Sequence, residues 1–325
     1  MFVTEAGFLK AVEGVDITIR KGECAALVGE SGCGKSVTGL ALMRLLQTPP
    51  ALYTAQKILF FDGERATDLQ TATEAEMLNV RGRKISMIFQ DPSAALNPVM
   101  TVGRQIDEII IRHYGLNKKE ARSRTVGLLR SVGVPDPERR YFSFPHEMSG
   151  GLKQRVLIAI ATACRPALMI ADEPTTALDV TIQAQILRLL RDLQRENNMA
   201  LLLITHDLGV VSHMADSVYV MYLGKIMEEG TTAEIIGAPL HPYTQGLIKA
   251  VPSLDDDSAV PLQQIPHNVP NPMKKPSGCS FHPRCAFCTG LCRAKMPPLI
   301  EYGGGRKVRC WRYIPDSSAN GGGDD

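Results

Sequence analysis

The run ECAALVGESGCGKS at residues 23–36 decides the fold of this chain. Residues 23–28 have the length of a strand and are apolar after Glu23, as in a strand that is covered on both faces of a parallel sheet. Residues 29–36 match the pattern G-x-x-x-x-G-K-[ST], and a helical pattern comes directly after them. The order of strand, glycine-rich turn and helix is the context in which this pattern forms a phosphate-binding loop.

The residue types in this loop suit a polyphosphate ligand. Gly29, Gly32 and Gly34 allow a turn so tight that successive backbone N–H groups face the phosphates, in front of a helix N-terminus. Lys35 is predicted to reach the β- and γ-phosphates, and the Ser36 hydroxyl is predicted to ligate Mg²⁺. The alternative is an ordinary glycine turn before a helix, but the full pattern in this context favours a nucleotide-binding site.

Short β-rich runs and helical patterns alternate along the chain, which predicts an α/β fold with a central sheet. The predicted strands are 15–19, 23–28, 57–61, 85–89, 167–171, 200–204 and 217–221. The predicted helices are 35–46, 101–113, 119–131, 151–164 and 181–196. The block 100–150 has helical patterns and no strand pattern, so we expect a separate helical subdomain there.

Two other predicted strands end in residues that suit phosphate chemistry. Asp172 and Glu173 follow 167–171, and His206 follows 200–204. Beside a phosphate loop, Asp172 is placed to hold Mg²⁺ through water and Glu173 to polarise an attacking water as general base. His206 could contact the γ-phosphate from the same edge, although a structural histidine fits its position equally well. An acidic pair at a strand end is by itself more often a solvated turn, but the phosphate loop favours the catalytic interpretation.

A further helix begins at Ser149-Gly150-Gly151. The residues themselves favour an ordinary N-cap, with Ser149 as the capping side chain and the glycines easing the turn. A second anion site at this helix N-terminus is the alternative.

Composition and charge exclude several classes of protein. The chain has 325 residues, with 36 Lys and Arg against 34 Asp and Glu. A net charge of +2 provides no basic field for sequence-independent binding to nucleic acid or to a membrane surface. No apolar run approaches membrane-spanning length and no signal-peptide pattern is present, so we expect a cytoplasmic protein.

The cysteines and prolines divide the chain into two regions. Five of the eight cysteines lie between positions 279 and 310, and ten of the 21 prolines follow position 250. This distribution predicts a body, an extended connector at 252–278 and a Cys- and Pro-rich tail with glycine runs at 303–305 and 321–323. In a reducing compartment, clustered cysteines favour metal binding over disulfides, and four thiolates can ligate Zn²⁺ or a [4Fe–4S] cluster.

Six motifs, in order, resemble those of the ATPase subunit of ATP-binding cassette (ABC) transporters. They are GESGCGKS (29–36), FQDP (89–92), MSGGLKQR (148–155), ALMIADEP (167–174), ALD (177–179) and ITHD (204–207). The resemblance covers about residues 2–250. It implies a P-loop NTPase fold with a helical subdomain, in which two such domains sandwich two ATP molecules.

The resemblance also implies roles for individual residues. Each ATP would lie between one subunit's phosphate loop and the Ser149-Gly150-Gly151 segment of the other. Gln90 would sense Mg²⁺ and the attacking water, Asp179 would act across the dimer interface, and His206 would contact the γ-phosphate. Phe2 aligns with the aromatic residue that stacks on adenine. Family members normally carry a β-strand before this position, so a truncated or misassigned start is an open alternative.

Further segments resemble the importers of dipeptides and oligopeptides, a group that also includes nickel and glutathione importers. They are FQDPSAALNP (89–98), FPHEMSGG (144–151) and HPYTQGLIKAVPSL (241–254), with GCSFHPRC (278–285) and VRCW (308–311) in the tail. In some members of this group, the cysteines of the C-terminal extension hold a [4Fe–4S] cluster. The resemblance favours Cys279, Cys285, Cys292 and Cys310 as ligands. Cys288 is an extra thiol, and Zn²⁺ is the alternative.

We therefore expect an ABC ATP-binding domain at 1–250, with its helical subdomain at about 97–150, and a C-terminal extension at 251–325. The expected function is ATP hydrolysis that energises peptide uptake, in a subunit peripheral to the cytoplasmic face of the inner membrane. Expected partners are integral membrane permease subunits, a second ATPase subunit (a sister chain or a second copy) and a separate solute-binding protein, but no nucleic acid.

Two alternatives remain. One is the ATPase subunit of a nickel or glutathione importer. The other, from a different class, is a non-transport ABC ATPase of DNA maintenance or translation. The absence of a long coiled coil from the sequence disfavours DNA maintenance, and the single cassette disfavours a translation factor.

Overall fold

A mixed sheet of eight strands organises the chain in our computed structural model, which describes residues 1–4, 7–53, 55–250 and 265–314. The strands in these residues are β1 (Phe2–Thr4), β2 (Gly7–Leu9), β3 (Cys24–Val28), β4 (Leu59–Asp62), β5 (Arg65–Asp68), β6 (Ile85–Ile88), β7 (Leu168–Asp172), β8 (Ala200–Thr205), β9 (Ser217–Tyr222), β10 (Lys225–Thr231), β11 (Ile300–Glu301) and β12 (Lys307–Val308). The α-helices are α1 (Lys35–Leu42), α2 (Glu74–Val80), α3 (Pro92–Ala95), α4 (Val102–Tyr114), α5 (Lys118–Ser131), α6 (Pro137–Arg140), α7 (Gly150–Thr162), α8 (Val180–Glu196), α9 (Leu208–Met214), α10 (Thr232–Gly237), α11 (Pro242–Lys249) and α12 (Gly290–Ala294). Short 3₁₀ helices cover Pro145–Glu147, His282–Arg284 and Trp311–Tyr313.

The strand that leads into the phosphate loop lies in the middle of this sheet. The strand order is β11-β12-β10-β9-β3-β8-β7-β6. Strands β9, β3, β8, β7 and β6 are parallel, whereas β10, β12 and β11 are added antiparallel at one side. Because the carboxyl ends of parallel strands meet at one edge of a sheet, the loops after β3, β7 and β8 open toward a common site.

Apolar layers cover both faces of the parallel strands. Along β8, Leu201 and Leu203 belong to one buried cluster, whereas Leu202 and Ile204 belong to another. Strands that are buried on both faces consist of apolar residues throughout, which is why continuous apolar runs predicted them. The predicted α/β fold with a central sheet is confirmed.

The helices between β6 and β7 pack on one another and share a buried cluster with strands β7 and β8. Val102, Ile106 and Ile110 recur on one face of α4 and are buried. They belong to the same cluster as Ala121 and Leu129 of α5, so the two helices bury matching apolar stripes. As predicted, residues 100–150, all within the described part of the chain, contain no strand.

The segment 15–19 was predicted as a strand, and this prediction is wrong. Val15, Ile17 and Ile19 are half-buried against the core and alternate with exposed residues, which is the period of a strand. Thr18, however, makes both of its backbone hydrogen bonds with the Tyr219 hydroxyl, at 3.1 and 2.9 Å. The alternation therefore reflects the burial of one side of an extended segment. The backbone of this segment bonds to the Tyr219 side chain and not to a neighbouring strand.

The tail packs onto the body and shares its core. Phe281 of the tail packs against Tyr222 and Tyr243 of the body, with 5.4 Å between ring centroids in each pair. Strand β12 pairs with β10, and Arg306, just before β12, forms an ion pair of 2.7 Å with the fully buried Glu228 of β10. The tail thus continues the sheet and the hydrophobic layer of the body.

Part of the predicted connector 252–278 lies outside the described residues. Residues 252–264 of the connector lie there, whereas 265–278 contain neither a helix nor a strand. The predicted glycine run 321–323 also lies outside the described residues. Among the helices that the structure describes, none has both the length and the apolar character needed to cross a membrane.

Candidate nucleotide-binding site

The phosphate loop turns sharply between β3 and α1, and two of its positions require glycine. Gly34 has a φ of 110°, a region that residues with a side chain rarely adopt. A Cβ atom at Gly29 would lie 2.2 Å from the Met221 carbonyl oxygen, and one at Gly34 would lie 2.5 Å from the Ala11 carbonyl oxygen. Side chains at these positions would push the loop away from the neighbouring backbone.

Lys35 and Ser36 begin α1 and face two different sets of oxygens. The buried Lys35 ammonium donates to the carbonyls of Gly29 and Glu30, at 2.7 and 3.0 Å. The Ser36 hydroxyl donates to Oδ1 of Asp172 at 3.0 Å. Burial raises the pKa of Asp172, and the hydrogen bond from Ser36 opposes this shift. A hydroxyl and a carboxylate in contact are hard oxygen ligands, so this pair fits Mg²⁺.

Glu173 lies where three other polar side chains meet. Its Oε1 is 3.1 Å from Nδ1 of His206, and its Oε2 accepts hydrogen bonds from Thr176 Oγ1 at 2.8 Å and Gln90 Nε2 at 3.4 Å. Burial raises the pKa of Glu173, but the hydrogen bonds from Thr176 and His206 outweigh burial and hold the pKa below its usual value. The carboxylate is therefore ionised at neutral pH, as a general base must be.

A cavity of about 240 Å³ lies next to these groups. Its lining includes Phe2, Gln90, Glu173 and most of the phosphate loop, so the structure brings together these predicted site residues. Asp172 and His206 adjoin the cavity through their contacts with Ser36 and Glu173.

The remaining predicted site residues lie at two other helix N-termini. Ser149 caps α7 by accepting a hydrogen bond from the Leu152 N–H at 3.4 Å, and Asp179 caps α8 by accepting one from the Ile182 N–H at 3.0 Å. Neither Asp179 nor the segment Ser149-Gly150-Gly151 lines the cavity among the described residues. Within one chain, these residues and the phosphate loop are separate.

Two parts of the C-terminal extension 251–325, which includes the connector and is called the tail below, reach the nucleotide site. Pro272 and Lys275 line the cavity, and Lys275 Nζ lies 3.5 Å from Oε2 of Glu13. Arg284 pairs with Glu30 of the phosphate loop through two contacts, Nη1–Oε2 at 2.6 Å and Nη2–Oε1 at 3.0 Å.

None of these tail residues was among the predicted site residues. Arg284 and Glu30 are 254 positions apart, so no local pattern could have connected them. Thr176 was missed as well, although its hydroxyl, three positions after the predicted general base, could have been read as a hydrogen-bond donor to that base.

The four cysteines predicted as ligands line one small apolar cavity in the tail. Cys279, Cys285, Cys292 and Cys310 share this cavity of about 20 Å³, and Cys288 is not among its lining residues. All are free, and burial raises the pKa of Cys279 to about 11. Across the described residues, no group of three or more His, Cys, Asp or Glu side chains is placed so that it could hold a metal ion. The structure thus groups the predicted cysteines without forming a metal centre.

The family assignment follows from the sequence comparison. Residues 12–176 match the family described as "ABC transporter". The chain belongs to the ABC transporter ATPase family. Residues 227–292 of this ABC ATPase also match the "Oligopeptide/dipeptide transporter, C-terminal region".

Similar proteins align with almost the whole length of this ABC ATPase. The oligopeptide transport ATP-binding protein OppD of Bacillus subtilis is 47% identical over 97% of this chain and 87% of that protein. The dipeptide transport ATP-binding protein DppD of Escherichia coli is 47% identical over 97% of this chain and 95% of that protein.

Solved structures share the cassette fold. The post-hydrolysis dimer of the ATP-binding cassette MJ0796, bound to ADP and Pi, matches 68% of this chain and 90% of that chain, with a TM-score of 0.56 and 25% identity. The protein cbiO1 of Clostridium perfringens matches 70% of this chain and 84% of that chain, with a TM-score of 0.57 and 26% identity. The predicted family, the ABC ATPase fold and the class of enzyme are confirmed.

Proposed function

We propose that this ABC ATPase is the ATP-hydrolysing subunit of an importer of dipeptides or oligopeptides. The observation that carries the proposal is the 47% identity, over 97% of the chain, with peptide transport ATP-binding proteins from two distant bacteria. The match of residues 227–292 to the C-terminal region of oligopeptide and dipeptide transporters supports it independently of the cassette motifs.

The nucleotide site supports a specific division of roles. Lys35 and the phosphate-loop N–H groups bind the β- and γ-phosphates, and Phe2 stacks on adenine. Ser36 and Asp172 hold Mg²⁺, with Gln90 as a further ligand. When bound, Mg²⁺ neutralises charge on the phosphates.

Hydrolysis depends on Glu173. Its ionised carboxylate accepts a proton from the attacking water as the bond to the γ-phosphorus forms and the β–γ bridge breaks, and ADP leaves. Gln90 and His206, both in contact with this carboxylate, position the water and bind the γ-phosphate.

The separate helix N-termini fit a two-subunit site. Ser149-Gly150-Gly151 and Asp179 act on the nucleotide of a second ATPase subunit, either a sister chain or a second copy, since neither lines the cavity of its own chain. The helical layer transmits the closing motion to integral membrane permease subunits. A separate solute-binding protein delivers the peptide, and the ATPase works as a peripheral subunit at the cytoplasmic face of the inner membrane.

Substitution of the proposed base tests the mechanism. We expect Glu173→Gln to lower kcat for ATP by about 10²- to 10⁴-fold, with nucleotide affinity retained, because the amide cannot accept the proton. The measurement is steady-state phosphate release, with Glu138→Gln as the matched control, since Glu138 is exposed, pairs with Arg130 and, among the described residues, is not part of the cavity lining. Unchanged turnover in Glu173→Gln would exclude this base.

Uptake by a reconstituted importer tests the transported solute. The ATPase is assembled in proteoliposomes with candidate permease and solute-binding proteins from the same organism. Entry of labelled dipeptides and oligopeptides is then followed with wild-type protein and with Glu173→Gln. We expect uptake only with the wild type. Uptake of Ni²⁺ or glutathione instead of peptides would favour the alternative importers. ATPase stimulation by DNA or ribosomes, without uptake, would favour a non-transport enzyme.

The tail is proposed to hold a [4Fe–4S] cluster on Cys279, Cys285, Cys292 and Cys310, with Zn²⁺ as the alternative. The shared cavity of these four thiols supports the ligand set, although they must move closer together around a metal. Metal and sulfide analysis of protein purified without oxygen tests it. We expect iron and sulfide in the wild type and in Cys288→Ser, but neither in Cys292→Ser. Zinc without iron or sulfide would assign a zinc site.

A further inference from the structure

An ion pair joins the tail to the phosphate loop. Arg284 is almost wholly buried, with 3% of its side chain exposed, and its two terminal nitrogens contact the two carboxylate oxygens of Glu30 at 2.6 and 3.0 Å. Such a two-pronged pair between a guanidinium and a carboxylate fixes the orientation of both partners as well as their distance.

Every polar group of Glu30 has a partner of its own. Its side chain contacts Arg284, its N–H donates to the Tyr243 hydroxyl at 2.9 Å, and its carbonyl accepts from Lys35 at 3.0 Å. Arg284 is held in turn, because it donates to the Pro266 carbonyl at 3.0 Å and to the Tyr222 hydroxyl at 3.4 Å. Glu30, the second residue of the phosphate loop, is thus held by contacts with both the tail and the body.

The tail also contacts the segment before β3, through Lys275. Lys275 donates to the Lys10 carbonyl at 2.7 Å and lies 3.5 Å from the Glu13 carboxylate. These residues directly precede the segment that leads to β3, and Lys275 and Lys10 line the nucleotide cavity. Two separate ion pairs of the tail therefore end at the nucleotide site.

We propose that Arg284 is a positioning residue for nucleotide binding, which holds the phosphate loop ready through Glu30. The inference rests on the proposed binding of ATP at this loop. A loop with three glycines loses much conformational freedom when its N–H groups converge on phosphates. Because the ion pair fixes the loop before the nucleotide binds, part of this conformational entropy is already lost on folding. Nucleotide binding then costs less entropy, and the affinity for ATP is higher.

The proposal predicts a specific kinetic pattern. Arg284 does not contact Glu173, Gln90 or His206, so its loss changes the order of the loop and leaves the hydrolytic groups in place. We expect Arg284→Met to raise the Kd and the KM for ATP about tenfold, while kcat at saturating ATP stays within about twofold. Arg284→Lys keeps the charge but not the two-pronged geometry, so we expect an intermediate rise of about threefold.

Arg309→Met is the matched control. Like Arg284, Arg309 directly precedes a cysteine of the tail cavity and binds the body, in this case by donating to the Ile226 carbonyl at 2.8 Å. It also donates to the Pro297 carbonyl within the tail at 3.3 Å. Its contacts do not include the phosphate loop. We expect Arg309→Met to lower the thermal midpoint of unfolding and to leave the Kd for ATP unchanged.

The experiment uses the full chain with MgATP and MgADP as probes, and measures Kd by equilibrium titration and KM and kcat by phosphate release. Glu30→Gln removes the charge of the pair from the loop side. Because Glu30→Gln and Arg284→Met disrupt the same ion pair, we expect the double variant to raise the Kd little beyond the larger of the two single effects. An unchanged Kd in both single variants would overturn the proposal, as would an equal rise in Arg309→Met, which would indicate general loosening of the tail. If the wild type itself binds no ATP, the proposed function fails along with it.

Discussion

The nucleotide site and the cysteine cavity are assembled in opposite ways. At the nucleotide site, Ser36, Asp172 and His206 meet because β3, β7 and β8 are parallel neighbours and their carboxyl ends coincide. In the tail, four cysteines meet with the help of only short 3₁₀ helices, a helix of five residues and two strands of two residues. The first geometry is built by repeating backbone hydrogen bonds, and the second depends on a few individual contacts with the body.

This difference determines whether the tail is an independent unit. A separate module would have its own core, but Cys279 and Phe281 belong to the same buried cluster as Val220 and Tyr222 of β9. The tail therefore shares the core of the body, and its strands β12 and β11 form one edge of the central sheet, so we infer that body and tail fold as a single unit. Substitutions at their contacts test this interpretation.

The largest effect on stability is expected at the buried ion pair between β10 and the tail. Glu228 is fully buried and Arg306 nearly so, with 2.7 Å between Oε1 and Nη2. Arg306→Met leaves the Glu228 carboxylate buried without its cation, which we expect to lower the free energy of unfolding by about 3 kcal/mol. Urea denaturation followed by circular dichroism measures it. Two separated transitions in the wild type would contradict the single unit that we infer.

The same pair explains what the sequence could not predict. The run KIMEEGT at 225–231 forms β10, but its two glutamates break the apolar pattern of a buried strand. Arg306, 78 positions away, supplies the cation for the buried Glu228. The backbone N–H groups of Leu240 and His241 donate to the same carboxylate. Tail contacts such as Arg284 with Glu30 are equally non-local, so no periodicity could reveal them.

The nucleotide site was predictable for the opposite reason. Each of its predicted residues follows a strand or precedes a helix within a few positions, and the parallel sheet then brings the strand ends together. Lys35, Ser36, Gln90 and Glu173 accordingly line one cavity. The segment 15–19 marks the limit of this reasoning, since alternation predicts a buried face but not the partner of the backbone.

An intermediate effect is expected at Gly278, which directly precedes Cys279 of the cysteine cavity. Gly278 has a φ of 65°, and a Cβ atom there would lie 2.3 Å from the Cys292 carbonyl oxygen, which accepts a hydrogen bond from Cys279. Gly278→Ala must displace this backbone, and we expect it to lower the free energy of unfolding by about 2 kcal/mol. Gly290→Ala is the control, because its Cβ would meet nothing within 4 Å. Equal stability of the two variants would show that the cavity has no fixed backbone geometry.

The smallest effect is expected at the ion pair next to the buried one. Lys307 of β12 and Glu229 of β10 lie 2.6 Å apart and directly follow Arg306 and Glu228 in the chain, but 41% of the Lys307 side chain is exposed. Water already solvates such a pair, so we expect Lys307→Gln to cost less than about 1 kcal/mol, and the cost to vanish at about 1 M salt because exposed charges are screened. The loss in Arg306→Met, in contrast, should persist in salt, since no ions reach the buried carboxylate. Urea denaturation of both variants at low and high salt separates the two cases, and a loss of equal size and equal salt dependence would mean that burial does not distinguish them.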